Sequence, residues 1–439
     1  MLETVPLRRQ RDYRLLWGAR VVSEVGGAVT RLAVPLTAVT MLGATPWEMG
    51  VLTAAASLPF LLVGLPVGAL ADRVARRRPV LVGCEVVAGV AILTVPLGWA
   101  VGLLSIPWLI TVALVVGTCA VVFRNFSTPY LTSVVAEPQR TAAIAGFQSV
   151  IAIGQLGGPG VAGLLVSVVT APVALVVDAV SYLVSAIFLR SIRTPEPARS
   201  ASPDERPLRG SMAREIGAGL RTLGGHRVLR ALVLAGVTVN LCGAAEMAIY
   251  VLFAVHVLGL PVGLVGISAA GFGAGGVLGA IVAARLERRF GGARVLLGSV
   301  LCFPVGFVAL AAASGPIWVI VPLIGLSEVI VGVAVVCFSV CSNAMMLRET
   351  PPEYVGRVNA SINFATQGVL AVGGVVGGLL GEFVGLRGGM WVCAAGAVLT
   401  IPCLWASPLT RRARAHPAGA AESPSTAQHP RSTPAAGRR

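Results

Sequence analysis

Twelve apolar runs constrain this chain more than any other feature. They lie near residues 15–42, 47–71, 79–100, 106–131, 143–168 and 172–190. After a polar interval come 229–258, 262–284, 294–313, 316–346, 358–382 and 388–407. A helix of roughly 20 residues crosses a bilayer, and in lipid every backbone amide must be satisfied within its own segment or a closed barrel. The runs are continuous rather than alternating, so they specify helices and not barrel strands. Composition agrees. With 56% hydrophobic and 12% charged residues, too little polar surface exists to coat a water-soluble body. The expected fold is an all-α membrane protein with twelve transmembrane helices in two six-helix halves.

The expected organisation is an N-terminal segment at 1–14, a first half at 15–190, a linker at 191–228, a second half at 229–407 and a tail at 408–439. The linker contains TPEPARSASPDERPLRGS, rich in Pro, Ser and Arg. Its later part, MAREIGAGLRTLGGHRVLR, has the spacing of an amphipathic surface helix. The Ala/Pro/Ser/Arg tail has no apolar period and is expected to be disordered. The first run follows a basic start, as a signal peptide would, but is too long and lacks an Ala-x-Ala stop, so it is expected to be retained.

The formal net charge is +15, and every basic side chain apart from histidine is arginine. These arginines fill short gaps between runs instead of one basic face, which points to anionic lipid headgroups and away from nucleic acid. Arg8, Arg9, Arg11, Arg14, the 72–78 gap, Arg140, the linker, Arg285 to Arg294, Arg348, Arg357 and the tail fall on one side of the membrane. The opposite side carries Arg387 as its only base. By the positive-inside rule both termini and the linker are expected to be cytoplasmic, in a multi-pass plasma (inner) membrane protein. The absence of lysine removes a Walker phosphate loop, and no HExxH or GxSxG is present, so no enzyme chemistry is expected. The eight cysteines lie within or at the ends of apolar runs without metal-ligand spacing. They read as small buried hydrophobes, with no metal and no cofactor expected.

The halves echo each other. GALADRVARRRPVLVG, from Gly68, resembles GAIVAARLERRFGGARVLLG, from Gly279, with Arg285, Arg288 and Arg289 matching Arg73, Arg76 and Arg77. Asp72 becomes Ala284. IGQLGGPGVAGLL in the fifth run is echoed by GVLAVGGVVGGLL in the eleventh. Six-helix repeats are typical of secondary transporters, whose halves rock about a site near the midplane.

At these residues a family emerges. Gly68, Asp72, Arg73, Arg76 and Arg77 resemble the major facilitator superfamily signature Gly-x-x-x-Asp-Arg-x-x-Arg-Arg between spans two and three. Gly154, Gly158, Pro159 and Gly163 resemble that superfamily's fifth-span antiporter motif, with Ala162 in place of one glycine. DAVSYLVSA at 178–186 and TPPEYVGRVNAS at 350–361 look like its macrolide and siderophore exporter branch. The resemblance spans roughly residues 10–407 and implies alternating access, a monomer, and a latch formed by Asp72 and Arg73 on the cytoplasmic side.

Charges inside hydrocarbon are costly and mark functional positions. Seven stand out: Arg20, Glu24 and Arg31 in the first run, Arg124 in the fourth, Asp178 in the sixth, Glu246 in the seventh and Glu328 in the tenth. Six of these fall on the spans that line the central cavity in the superfamily. Arg20, Glu24 and Arg31 share one helix face. Glu24 reads either as a proton-exchanging carboxylate or as a structural partner of those arginines. Glu328, near the midplane without a basic partner in its span, reads as a proton or substrate-cation site, or as a carboxylate bonded to a neighbouring helix. Arg124 occupies a span where many antiporters carry an arginine tied to proton coupling. Asp178 suits structural hydrogen bonding, Glu246 and Asn240 either contact substrate or join a polar network, and His256 ends a span. The expected function is secondary active transport: proton-coupled export of a small amphipathic compound such as a drug, antibiotic or siderophore. An importer of the same fold and a non-transporting receptor are the alternatives.

Overall fold

The computed structural model describes residues 6–196, 225–351 and 354–410. The first half comprises α1 (Arg11–Leu42), α2 (Pro46–Arg73), α3 (Arg77–Ala100), α4 (Ile106–Val134), α5 (Arg140–Val168) and α6 (Ala171–Arg190). The second comprises α7 (Arg227–Leu252), α8 (Val262–Phe290), α9 (Gly292–Ala311), α10 (Ile317–Glu349), α11 (Val355–Phe383) and α12 (Leu386–Val398). A short α13 (Thr400–Trp405) continues α12. No strand occurs among the described residues, and eleven spans are long and apolar enough to cross a membrane. At 29 residues α5 has the length for a twelfth. Residues 212–224 of the expected amphipathic segment and the tail from 411 onward lie outside the described residues, and the last four residues of that segment, 227–230, open α7.

Turn chemistry sets the boundaries. Gly43 ends α1 in the left-handed region at φ 61°, where a Cβ would be strained. Thr45 then opens α2 with a capping box: Glu48 N–H donates to Thr45 Oγ1 at 3.2 Å, and Thr45 N–H donates to Glu48 Oε2 at 2.8 Å. Pro46 follows at the first helical position, where its missing N–H costs nothing.

The packing is duplicated. In the first half α1 pairs with α5 and α6, α3 with α4 and α6, and α2 with α4. In the second, α7 pairs with α11 and α12, α9 with α10 and α12, and α8 with α10. Each pairing recurs six helices later, so the repeat seen in the motifs extends to the helix arrangement. The halves meet mainly through α2 on α11 and α5 on α8.

These contacts gather at one end, remote from the linker. A Cβ on Gly50 would lie 2.6 Å from Gly378 Cα, and one on Gly163 would lie 2.4 Å from the Gly266 carbonyl carbon. Small residues are what allow two membrane helices to approach this closely. A single apolar cluster at that far end joins the halves through Val29, Leu36, Met49, Ala162, Phe253, Val265 and Ile324. At the linker end each half keeps its own cluster. Tyr13, Phe126, Tyr130 and Leu189 belong to one, and Val228, Leu296, Cys341 and Leu404 to the other. The described state is closed at the far end, with its halves packed separately at the linker end.

Candidate functional site

A cavity of about 650 Å³ opens within the first half, lined by α1, α3, α4, α5 and α6. Its charged side chains are Arg20, Glu24 and Arg31 from α1, Glu85 from α3 and Arg124 from α4. Arg20 Nη2 contacts Glu24 Oε1 at 2.5 Å, one helical turn away, and its guanidinium also lies 5.4 Å from the Phe123 ring centre. Arg124 stands 5.1 Å from the Phe60 ring centre, a geometry in which the ring quadrupole attracts a cation. Arg31 and Arg124 are exposed.

Glu85 is the functional-type residue that sequence reasoning passed over. It adds an eighth to the seven charges singled out inside spans, and it sits on α3, outside the four spans that the superfamily uses for its cavity. It is only 2% exposed. Ser23 Oγ donates to its Oε1 at 3.2 Å, while its Oε2 is buried without a hydrogen-bond partner. Arg20 Nε, also lining this region, is likewise buried without a partner. An unmatched donor and an unmatched acceptor are therefore buried beside one cavity, with the Ser185 hydroxyl, also unmatched, close to Glu85. A carboxylate six residues into an apolar run was the signal available in the sequence.

Asp178 lies behind the cavity with no exposed surface. It accepts from Thr30 Oγ1 and, at 3.0 Å, from Ser181 Oγ, so it ties α6 to α1. Gly26 permits this approach, because a Cβ there would collide with Ser181 and Asp178.

The fifth-span glycines press on α1 and α8. A Cβ on Gly154 would lie 2.9 Å from Glu24 Cβ, and one on Gly158 would lie 2.3 Å from Ala28 Cβ. The motif thus abuts a cavity carboxylate directly. Pro159 lies within α5.

In the second half, Glu246 on α7 and Glu328 on α10 are half-buried. Glu328 packs on α8 where Gly271 leaves room, since a Cβ there would lie 3.1 Å from Glu328 Cβ. Asn240 donates to Gly236 O of its own helix at 2.8 Å. His256 lies in the π-helical turn Phe253–Val257 that extends α7.

The Gly68–Arg77 motif occupies the α2–α3 turn. Gly68, Asp72 and Arg73 lie in the last turns of α2, and Arg76 occupies the N-cap position of α3 without a capping hydrogen bond from its side chain. Arg77 and Arg78 donate their backbone N–H groups to Glu196, the Arg78 contact measuring 2.8 Å. Their guanidiniums reach the carbonyls of Ala71, Pro129 and Ile192, which holds the ends of α2, α4 and α6 around the start of α3. Arg285, Arg288 and Arg289 form the corresponding end of α8.

The Major Facilitator Superfamily sequence model matches residues 16–370 and 241–436. The chain belongs to the major facilitator superfamily. It is 22% identical over 399 residues to macrolide efflux protein A of Streptococcus pyogenes, covering 88% of this chain and 92% of that protein. Its fold resembles the nucleoside transporter NupG with a TM-score of 0.70 at 14% identity, covering 89% of this chain and 98% of that one. A bacterial homologue of the lysosomal transporter Spinster, inward-facing and unoccupied, gives 0.68 at 16% identity, covering 93% and 100%. A bacterial homologue of ferroportin, inward-facing, gives 0.65 at 16% identity, covering 91% and 98%. The protein is a membrane-spanning transporter of this superfamily, and its expected small-molecule substrate follows from that membership.

Proposed function

We propose that the protein is a proton-coupled exporter of a small amphipathic compound, with its linker end cytoplasmic. One observation carries the reading: the cavity carboxylate Glu24 sits against Gly154 of the fifth-span antiporter motif while paired to Arg20. The likeness to a macrolide efflux protein supports the outward direction. In the described state substrate enters from the linker side. A proton reaching Glu24 weakens its hold on Arg20, and the guanidinium then turns toward the unpartnered oxygen of Glu85. Glu24 and Glu85 thereby share one arginine, and its position follows the proton. Closing the linker end and parting the far end completes the exchange.

The test uses everted vesicles loaded by energisation, with a labelled macrolide and rhodamine B as probes. Uptake into the vesicles is expected, collapsing when the pH gradient is discharged, and Glu85→Gln is expected to retain binding while losing gradient-driven uptake. Uptake indifferent to the pH gradient would remove proton coupling. Accumulation of either probe by intact cells would establish import instead.

A further inference from the structure

Among the described lining residues of the first-half cavity, the guanidiniums of Arg20, Arg31 and Arg124 stand against the carboxyls of Glu24 and Glu85. Arginine keeps its charge at any working pH, so positive charge is in excess there whether or not the carboxyls hold protons. Neither carboxyl is free to balance it. Glu24 is paired to Arg20, and Glu85 is only 2% exposed. Arg31 follows Thr30, whose hydroxyl donates to Asp178, so an acid stands behind that part of α1. Arg124 has no such relief. Its guanidinium is exposed and makes no ion pair or hydrogen bond among the described residues, and its neighbour is the Phe60 ring, 5.1 Å away at the centre. Thr128 lies one helical turn along α4 on the same face. It lines the same cavity, is exposed, and its hydroxyl is likewise unengaged among the described residues.

Building on the export reading, we infer that the exported compound carries an acidic group, received by the Arg124 guanidinium with the Thr128 hydroxyl beside it. An uncompensated charge within a membrane span is costly, and a ligand of opposite sign relieves it. A planar guanidinium takes a carboxylate through two parallel hydrogen bonds, and the Phe60 ring against it restricts the plane in which that fork is offered. The rest of the compound is apolar, since Phe123, Leu131, Ile144, Phe147 and Ile151 line the same space. The volume of about 650 Å³ suits a drug-sized molecule. A purely basic compound finds no exposed, unpaired carboxylate among the described lining residues and meets a guanidinium of its own sign, so it binds more weakly. The favoured class is an amphipathic organic acid.

Two matched pairs separate charge from shape: dansylglycine and its amide, and 1-naphthylacetic acid and its amide. Each amide keeps the apolar body and loses the negative charge. Binding is measured by fluorescence with the full chain in lipid nanodiscs, against empty nanodiscs as the blank. Each acid is expected to bind at least about tenfold more tightly than its amide, the scale of one charge-assisted hydrogen bond. The preference is expected to fall below about twofold in Arg124→Gln and to survive in Arg124→Lys, which keeps the charge. Thr128→Val is expected to reduce it without abolishing it. The amides are expected to bind the native chain and Arg124→Gln alike, which reads an intact fold. Acids that bind no more tightly than their amides, a preference that persists in Arg124→Gln, or no binding by either acid overturns the assignment. Gradient-driven uptake of amides into everted vesicles as readily as acids overturns it too, and leaves the exporter reading standing. An acid preference without gradient-driven transport keeps the binding assignment and overturns the exporter reading alone.

Discussion

Replacing Gly163 by alanine tests whether the far-end contact sets the balance between the two access states. A Cβ at this position would lie 2.4, 2.6 and 2.7 Å from three backbone atoms of Gly266. Carbon atoms settle at about 3.5–4.0 Å from one another, so α5 and α8 must part locally by about 1 Å. Both surfaces are backbone, and no side chain can rotate aside. Overpacking of this kind costs about 1–3 kcal/mol. Alanine also improves on glycine inside a helix by about 1 kcal/mol, but α5 stays helical in both access states, so that gain cancels from their ratio. The result is a shift of about 5–150-fold against the far-end-closed state. The assay is double electron–electron resonance between labels at Leu103 and Phe383, both exposed far-end positions in opposite halves, in a background without the eight native cysteines. The longer-distance population is expected to grow. Gly298→Ala, where nothing lies within 4 Å of the added Cβ, is expected to leave the distribution unchanged. An unaltered distribution in Gly163→Ala would refute the idea that backbone contact holds this end shut.

Asp178→Ala is expected to lower thermal stability in detergent by about 2–3 kcal/mol, because Thr30 and Ser181 lose a shared buried acceptor; an unchanged melting temperature would show that the pair finds another. Glu196→Gln is expected to cost about 1 kcal/mol, since a neutral amide replaces a carboxylate at the N-terminus of α3, and hydrogen exchange at the Arg77 and Arg78 amides reads this directly. Asp72→Asn is expected to keep expression and topology while impairing transport. Full transport by that variant would reduce the Gly68–Gly83 stretch to a topology signal.

The helices were legible because lipid forces each segment to satisfy its own amides, so an apolar run of sufficient length has one backbone solution. The duplication was legible in the repeated arginines of the α2–α3 and α8–α9 gaps. The interior of each half was not. Glu85 gains its burial from α3 packing on α6 and from Ser23 on α1, which no local pattern records. Glu246 and Glu328 are far apart in sequence, and they stand on α7 and α10, which meet only in the folded chain. Glu196 sits in a Pro/Ser-rich stretch that reads as linker, yet it serves as the cap of α3. Composition describes solvent exposure well and describes a single hydrogen bond poorly.

That cap has a mechanical consequence. The covalent connection between the halves does not start at the end of α6. Arg193 and Thr194 donate to Asp12 at the start of α1, and Glu196 is fastened to the start of α3. The segment that joins the halves and the turn that carries Asp72 to Arg78 therefore share one anchor, Glu196. Shortening that segment is expected to load this turn, far from the cavity.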